Sequence, residues 1–461
     1  MQVKEKEKRI HFVGIGGAGM SGIAAVLLGM GGYRVSGSDL KRTAVVERLE
    51  NLGATCYTGH AAENLMDVDM VITSTAISPD NPEVLEAQRR GIPLVRRGAM
   101  LARLMNEKRG IAVAGAHGKT TTTSMISLVL EKSGFDPTIL IGGDLSDIGG
   151  NAKQGQGEYL VAEADESDGS FLLLSPEIAV VTNIEDDHLD HYGSKENIIK
   201  AFMEFLNKVP AKGLSVLCLD DPVIKTISTE LSCPVVTYGS EDSGADYILS
   251  SYEFRNGISR AVVTFRGERL GVLELVVPGY HNLLNALATV ATGRYLGLDF
   301  EQVARSLAGF KGAKRRYQLL GETKGIKIVD DYAHHPTEIK ATLQAARHAH
   351  PGRLLVVFQP HRYTRTRQLF REFGESFHHA DVIILTDIYS AGEPPLEGVD
   401  ARLIIDAISR KEGQQVLYLP TLKDAAEFLQ NNLQGGDLVL TMGAGDVYTL
   451  GRELLRRLEE K

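Results

Sequence analysis

Residues 112–124 read Ala-Val-Ala-Gly-Ala-His-Gly-Lys-Thr-Thr-Thr-Thr-Ser, an apolar strand running through a glycine turn into a helical pattern. These residue types at this spacing suit a nucleoside triphosphate. Main-chain N–H groups at a helix start hold phosphate oxygens, Lys119 reaches the β- and γ-phosphates, and the Thr120 hydroxyl is a ligand for Mg²⁺. The usual phosphate loop has a glycine five residues before its second one; that position here is Val113, and Gly115 gives a shorter Gly-x-x-Gly-Lys-Thr turn. The expected phosphate contacts are Gly115, Ala116, His117, Gly118, Lys119, Thr120 and Thr121.

A second glycine turn, Gly14-Ile15-Gly16-Gly17-Ala18-Gly19, also links a strand to a helix, and Asp39 ends the next strand. This pattern seats a diphosphate on a helix N-terminus and sets an acid beside the nucleoside. A nicotinamide cofactor and a UDP-sugar satisfy it equally. Glu163 ends the apolar strand Tyr159–Ala162, where phosphate-loop folds place a further Mg²⁺ contact. Asp165, Glu166 and Asp168 follow it, and a cluster of acids and histidines fills 185–191. Asn282 and Asn285 stand at i, i+3 and share a helix face, suited to an adenine edge or to capping. Further on, Asp330-Asp331-Tyr332-Ala333-His334-His335-Pro336 and Gln359-Pro360-His361-Arg362-Tyr363-Thr364-Arg365 each follow a strand. Strand carboxyl ends are where open α/β sheets take ligands, and Arg362 and Arg365 suit a carboxylate or a phosphate.

The elements that must carry these loops alternate between strand and helix, which predicts mainly parallel sheets covered on both faces. In the first series Ile10–Val13, Arg34–Ser36 and Met70–Thr73 read as strands, with helices at Ser21–Met30 and Pro82–Arg90. The second contains strands at Tyr159–Ala162 and Ile178–Thr182, a strand-rich middle at 216–277, and helices at His281–Tyr295 and Phe300–Leu307. The third has strands at 326–330, 353–358, 382–386, 416–418 and 437–441, after a linker at Lys311–Lys314. Length alone points to about three domains; the series divide at 1–107, 108–313 and 314–461. The fold class expected is α/β, with Rossmann-like first and third domains around a central phosphate-loop domain with a mixed sheet.

The bulk properties narrow the class. Fifty basic and 59 acidic residues give a net charge of −9, which argues against a broad nucleic-acid or anionic-membrane footprint. Cys56, Cys218 and Cys233 have no metal-like spacing and suit a reducing cytoplasm. A charged run before an apolar stretch at the N-terminus imitates a signal peptide, but four glycines break it and it continues into the βαβ pattern. No span of a membrane is expected.

Together the motifs resemble the Mur ligases, the ATP-dependent amide-forming enzymes of peptidoglycan synthesis. The likeness covers nearly the whole chain. It rests on Gly-Ile-Gly-Gly-Ala-Gly-Met-Ser-Gly-Ile-Ala at 14–24, Gly-Ala-His-Gly-Lys-Thr-Thr-Thr at 115–122, and Glu-Ala-Asp-Glu-Ser-Asp-Gly-Ser-Phe at 163–171. His-Asn-x-x-Asn at 281–285, Asp-Asp-Tyr-Ala-His-His-Pro-Thr-Glu at 330–338 and Phe-Gln-Pro-His-Arg-Tyr-Thr-Arg-Thr at 358–366 complete the set. Ala116 departs from the family's usual threonine or serine.

The resemblance implies that the first domain binds UDP-N-acetylmuramate, the central one ATP, and the third the incoming amino acid, L-alanine. It resolves the first glycine motif as a UDP-sugar site made by Gly16, Gly17, Ala18, Gly19, Met20, Ser21, Asp39, Ser74 and Thr75. It implies Lys119, Glu163, His188 and Arg316 as catalytic residues, Asn282, Asn285, Arg316 and Asp331 as ATP contacts, and Arg365, His361, Tyr332 and His334 around the amino acid. Thr120, Glu163 and His188 are the implied metal ligands, for two Mg²⁺ ions that Mn²⁺ can replace. A monomer or homodimer in the cytoplasm, without nucleic-acid partners, is the implied state. A ligase joining a preformed peptide, a nicotinamide-dependent dehydrogenase and a phosphate-loop switch are the rivals. The dehydrogenase would leave residues 115–121 without purpose, and the switch would leave the histidine–arginine motifs of the third series unexplained.

Overall fold

In the computed structural model, which describes residues 7–460 apart from Asn256 and Arg410, the chain forms two compact units. One takes in the chain to Ser250 with Val263–Gly271 and Leu284–Leu307. The other takes in Ser251–Val262, Val272–Leu283 and the chain from Ala308.

The first unit opens with a parallel sheet in the order Thr55–Thr58, Tyr33–Asp39, Lys8–Val13, Met70–Thr73, Leu94–Arg96. The central sheet runs Val235–Ser240, Leu214–Cys218, Ile178–Val181, Arg109–Ala114, Tyr159–Glu163, Thr138–Leu145, Gly150–Lys153. Only the last pair is antiparallel in this stretch, and Tyr247–Arg255, Ile258–Phe265 and Glu268–Leu275 extend the sheet to ten strands. The strands beside the phosphate loop are buried along their middles, Ile111, Ala112, Val113, Val161 and Val180 being at 0% exposure, as a sheet covered on both faces requires.

The first and central segments are one unit because polar side chains tie them. Arg48 donates to Asp144 Oδ1 at 3.3 Å and Asn151 Oδ1 at 2.7 Å, and the Asn151 amide donates to the Ala18 carbonyl at 2.6 Å. The helix Ala18–Met30 thereby packs on the pair Thr138–Leu145 and Gly150–Lys153.

The second unit holds a six-stranded sheet in the order Gln318–Thr323, Ile326–Asp331, Leu438–Met442, Leu354–Phe358, Val382–Leu385, Gln415–Tyr418. Its first pair is antiparallel and the others parallel. Alternation along Leu354–Phe358 divides its residues between two cores. Leu354, Val356 and Phe358 pack with Ile339, Leu343 and Phe373, whereas Leu355 and Val357 pack with Ala425, Leu450 and Leu454. Fully burying each such side chain is worth about 1.5–3 kcal/mol.

The strands expected at 326–330, 353–358, 382–386, 416–418 and 437–441 all form, each within a residue or two of its expected ends. No regular element occupies 309–317, the expected linker included. Thr55–Thr58 and Leu94–Arg96 were not anticipated; they are short and mostly surface-facing, so they carry little hydrophobic period. No helix among the described residues is long and apolar enough to cross a membrane.

Candidate active site

The phosphate loop leaves Arg109–Ala114 and enters the helix Lys119–Lys132. Gly115 has φ +134°, and a Cβ there would fall 2.2 Å from Thr182 Oγ1; Gly118, at φ +81°, caps the helix and faces Asn285 Oδ1 at 2.7 Å from its missing Cβ. Only glycine fits either position. Asn285 therefore lies against the loop. Asn282 donates its amide to the Pro278 carbonyl at 2.7 Å. The N–H groups of Ala116 and His117 are taken up by Asn183, through its carbonyl at 3.3 Å and its Oδ1 at 2.9 Å.

Lys119 folds back over this turn, donating to the carbonyls of Gly115 at 2.5 Å and Ala116 at 3.1 Å and to Glu166 Oε1 at 2.7 Å. Burial works to lower the lysine, but the charges of Glu166, Glu163 and Asp165 outweigh it and hold the ammonium above its ordinary range. The same burial pushes Glu166 up to about 7 against the pull of Lys119. Thr120 Oγ1 donates to Glu163 at 3.0 and 3.1 Å, and the Gly142 N–H donates to Glu163 Oε2 at 2.9 Å. A hydroxyl beside a carboxylate is an all-oxygen donor pair, the chemistry Mg²⁺ takes. His188 adopts a left-handed conformation, φ 59°, with Nε2 3.8 Å from Glu166 and 3.6 Å from Asp187. Its imidazole is a softer ligand than Mg²⁺ favours.

The first glycine turn is closed by Asp39. Asp39 Oδ2 accepts the Gly16 N–H at 2.9 Å, and Gly17 caps the helix Ala18–Met30. Ala18, Gly19, Ser74 and Thr75 line a cavity of about 320 Å³, and so do Glu163 at the end of a central strand and Asp165 in the loop after it. The hollow thus runs from the first glycine turn to Glu163, the carboxylate that accepts from Thr120. Met20 and Ser21 are buried, and the Ser21 hydroxyl donates to the Ala18 carbonyl at 3.0 Å. Arg97, Leu140, Ile141 and Gly142 also line the cavity and were not singled out from sequence. The position of Arg97 just past the strand Leu94–Arg96 was the available signal.

In the second unit Asp331 accepts the N–H groups of Tyr317 and Ala333, both at 2.7 Å. Burial raises its carboxyl to about 6 against Arg316 and these donors. Each oxygen keeps a lone pair able to accept a further hydrogen bond. Arg316 lies 3.6 Å from Glu338 and over the Tyr332 ring at 5.2 Å. Tyr332, His334 and His361 form a continuous aromatic run, with centroids 5.3 and 5.8 Å apart, and Tyr389, absent from the sequence reading, stacks on His361 at 5.7 Å. Burial, reinforced by the charge of Arg365, lowers His334 to about 3 and His361 to about 4. Both rings are neutral near pH 7, and His361 Nδ1 is buried without a hydrogen-bond partner.

Three α/β sheets, with two glycine turns that each lead from a strand into a helix, are the frame within which the comparisons fall. The chain matches the Mur ligase family, catalytic domain, over residues 9–109, the Mur ligase middle domain over 113–293, and the Mur ligase, glutamate ligase domain over 315–445. The chain belongs to the Mur ligase family. It is 70% identical to the UDP-N-acetylmuramate–L-alanine ligase of Desulforamulus reducens, over the whole of both chains, and 58% identical to that of Pelotomaculum thermopropionicum over 99% of each. Among solved structures it resembles the UDP-N-acetylmuramate–alanine ligase of Thermotoga maritima, with TM-score 0.85 and 31% identity over 98% of this chain and 99% of that one. A murein peptide ligase from Psychrobacter arcticus shares the fold, with TM-score 0.73 and 24% identity over 98% of this chain and 99% of that one.

Proposed function

We propose that the chain is an ATP-dependent ligase that joins the carboxylate of UDP-N-acetylmuramate to the amino group of L-alanine, releasing ADP and orthophosphate. The observation that carries this reading is the shared cavity, lined by Gly19, Ser74 and Thr75 on the sugar-nucleotide side and by Glu163 beside the phosphate loop. The relatives at 70% and 58% identity support alanine over a preformed peptide.

The sugar carboxylate attacks the γ-phosphorus, the bond to the β-phosphate oxygen breaks, and ADP leaves an acyl phosphate. The free amine, its ammonium proton lost, attacks the acyl carbon, and orthophosphate leaves the tetrahedral intermediate. The first step forces two anions together. At about 4 Å and an effective dielectric near 20, each uncompensated unit pair costs roughly 4 kcal/mol, about three tenfold factors in rate. Lys119 supplies the compensating cation beside the loop. Arg316 as a second cation, Asn282, Asn285 and Asp331 as nucleotide contacts and His188 as a metal ligand are carried by likeness to the family, as is the division at 107 and 313. Thr120 and Glu163 would hold Mg²⁺, which would supply positive charge against the phosphate oxygens; two such ions, replaceable by Mn²⁺, are part of the proposal.

In the amino-acid site Arg365 holds the alanine carboxylate, and Tyr332, His334 and His361 frame the methyl group. The neutral imidazoles leave Arg365 as the charge that recognises the ligand, while His361 Nδ1 offers a lone pair to the amine. The whole reading is tested by orthophosphate release. Release must require ATP, UDP-N-acetylmuramate and L-alanine together, with the amide product identified by mass. Release without the sugar nucleotide, or tight NAD⁺ binding by the full chain, overturns it.

A further inference from the structure

Arg97 has no part in the mechanism above. It opens the helix Arg97–Asn106 immediately after the strand Leu94–Arg96, at a carboxyl end of the first sheet, where such sheets take ligands. Its side chain lies across the sugar-nucleotide turn: a Cβ on Gly19 would fall 2.9 Å from Arg97 Cδ and 3.1 Å from Nη1. Gly19 is what lets this side chain lie over the first turn of Ala18–Met30, a turn without an acidic residue. A guanidinium and the positive end of a helix side by side are electrostatically costly unless an anion joins them. On its other side Nη2 donates to Asp165 Oδ2 at 2.8 Å, with Asp168 at 3.9 Å. That bond uses one of the five guanidinium N–H groups. Arg97 and Asp165 both line the cavity with Ser74 and Thr75, and the arginine side chain is 17% exposed.

We propose that Arg97 is a binding and specificity residue for the sugar nucleotide, its guanidinium closing on an oxyanion of that ligand, the diphosphate or the lactyl carboxylate. The proposal rests on the UDP-N-acetylmuramate reading of the cavity. Asp165 is the protein partner that orients the guanidinium along the cavity wall.

Calorimetry on the full chain without ATP tests this, with UDP, UDP-N-acetylglucosamine and UDP-N-acetylmuramate as probes. Failure of the wild-type chain to bind UDP-N-acetylmuramate would sink the functional reading itself. With that binding in hand, Arg97→Ala should weaken UDP-N-acetylmuramate by about ten- to a hundredfold. A loss shared by all three probes assigns the guanidinium to the diphosphate; a loss confined to UDP-N-acetylmuramate assigns it to the lactyl carboxylate. Arg97→Lys, which keeps the charge without the planar fork, should fall between wild type and alanine, and it supplies the reading if the alanine variant does not fold. Asp165→Asn removes the charge of that protein partner, so affinity should hold or rise. Equal losses in Asp165→Asn and Arg97→Ala would make the pair a structural strut and overturn the proposal. Affinity within twofold of wild type in the Arg97 variants would overturn it as well.

Discussion

Lys119 donates to Glu166 Oε1 at 2.7 Å, and its two remaining protons go to the carbonyls of Gly115 and Ala116. These three acceptors satisfy the ammonium within the protein. Its contact with a phosphate must replace bonds of similar strength, so its net benefit is concentrated where charge develops. Lys119→Ala should therefore lower kcat at least about a hundredfold, with a smaller change in the KM for ATP. Steady-state kinetics decide this; an intact kcat with a raised KM would make Lys119 a simple binding contact.

Glu166→Gln removes the charge that Lys119 has to leave while keeping its shape. The dissociation constant for ATP, measured calorimetrically without sugar nucleotide, should fall about two- to tenfold, the scale of a charged hydrogen bond exchanged for a neutral one. Weaker binding would instead show that Glu166 holds the lysine in its working position.

The pair Thr120–Glu163 makes a metal prediction. Thr120→Ser retains the oxygen and should keep activity within a few-fold, whereas Thr120→Val should shift the Mg²⁺ activation curve to higher concentration and lower the plateau. An unchanged Mg²⁺ dependence in the valine variant would remove Thr120 from the metal site.

Arg365→Ala should raise the KM for alanine by about one to three decades, since losing a charge-assisted pair costs roughly 1.5–3 kcal/mol or more. The affinities for ATP and UDP-N-acetylmuramate should stay within a few-fold. Equal losses for all three substrates would place Arg365 on the phosphates or in the frame of the fold.

Glu83 links stability to pH. It is fully buried, accepting from Ser38 Oγ at 2.5 Å and from the Asn64 amide at 2.6 Å, with His11 Nε2 at 3.6 Å. Burial works to raise its pKa, but these groups outweigh it and hold the carboxyl at about 2, below the ordinary 4.5. A depressed folded-state pKa stabilises above the unfolded value, and that contribution fades as pH falls from about 4.5 toward 2. Its full size is about 3 kcal/mol. Glu83→Gln should lower the urea midpoint at pH 7, and the gap to wild type should narrow below about pH 4.5. A gap constant down to pH 3 would remove the carboxylate's charge as the cause.

The parts of the site legible in sequence are those whose chemistry is local. Gly115 and Gly118 are needed by backbone angles and by the close approach of Thr182 and Asn285, so glycine at those positions speaks for itself. Long, periodic strands such as Ile326–Asp331 and Leu438–Met442 were equally readable. The rest depends on partners distant in sequence. Arg48 finds Asp144, and Asn151 finds Ala18, across 96 and 133 residues, and no window of sequence holds both ends. The pairing of Lys119 with Glu166 and the place of Arg97 in the cavity belong to the same class.

Because Asn151 ties the helix Ala18–Met30, and Arg48 the helix Ala44–Asn51, to the central sheet, the cavity walls at Gly19 and Glu163 are held together within the protein. For inhibitor design this makes the cavity a single target. A compound with a diphosphate mimic seated at Gly19 and a hard oxygen donor for a Mg²⁺ ion that Thr120 and Glu163 would hold would bind its second end intramolecularly. Its affinity would then scale with the effective concentration set by a linker matched to the cavity's length, and a linker too short to span it would lose the gain entirely.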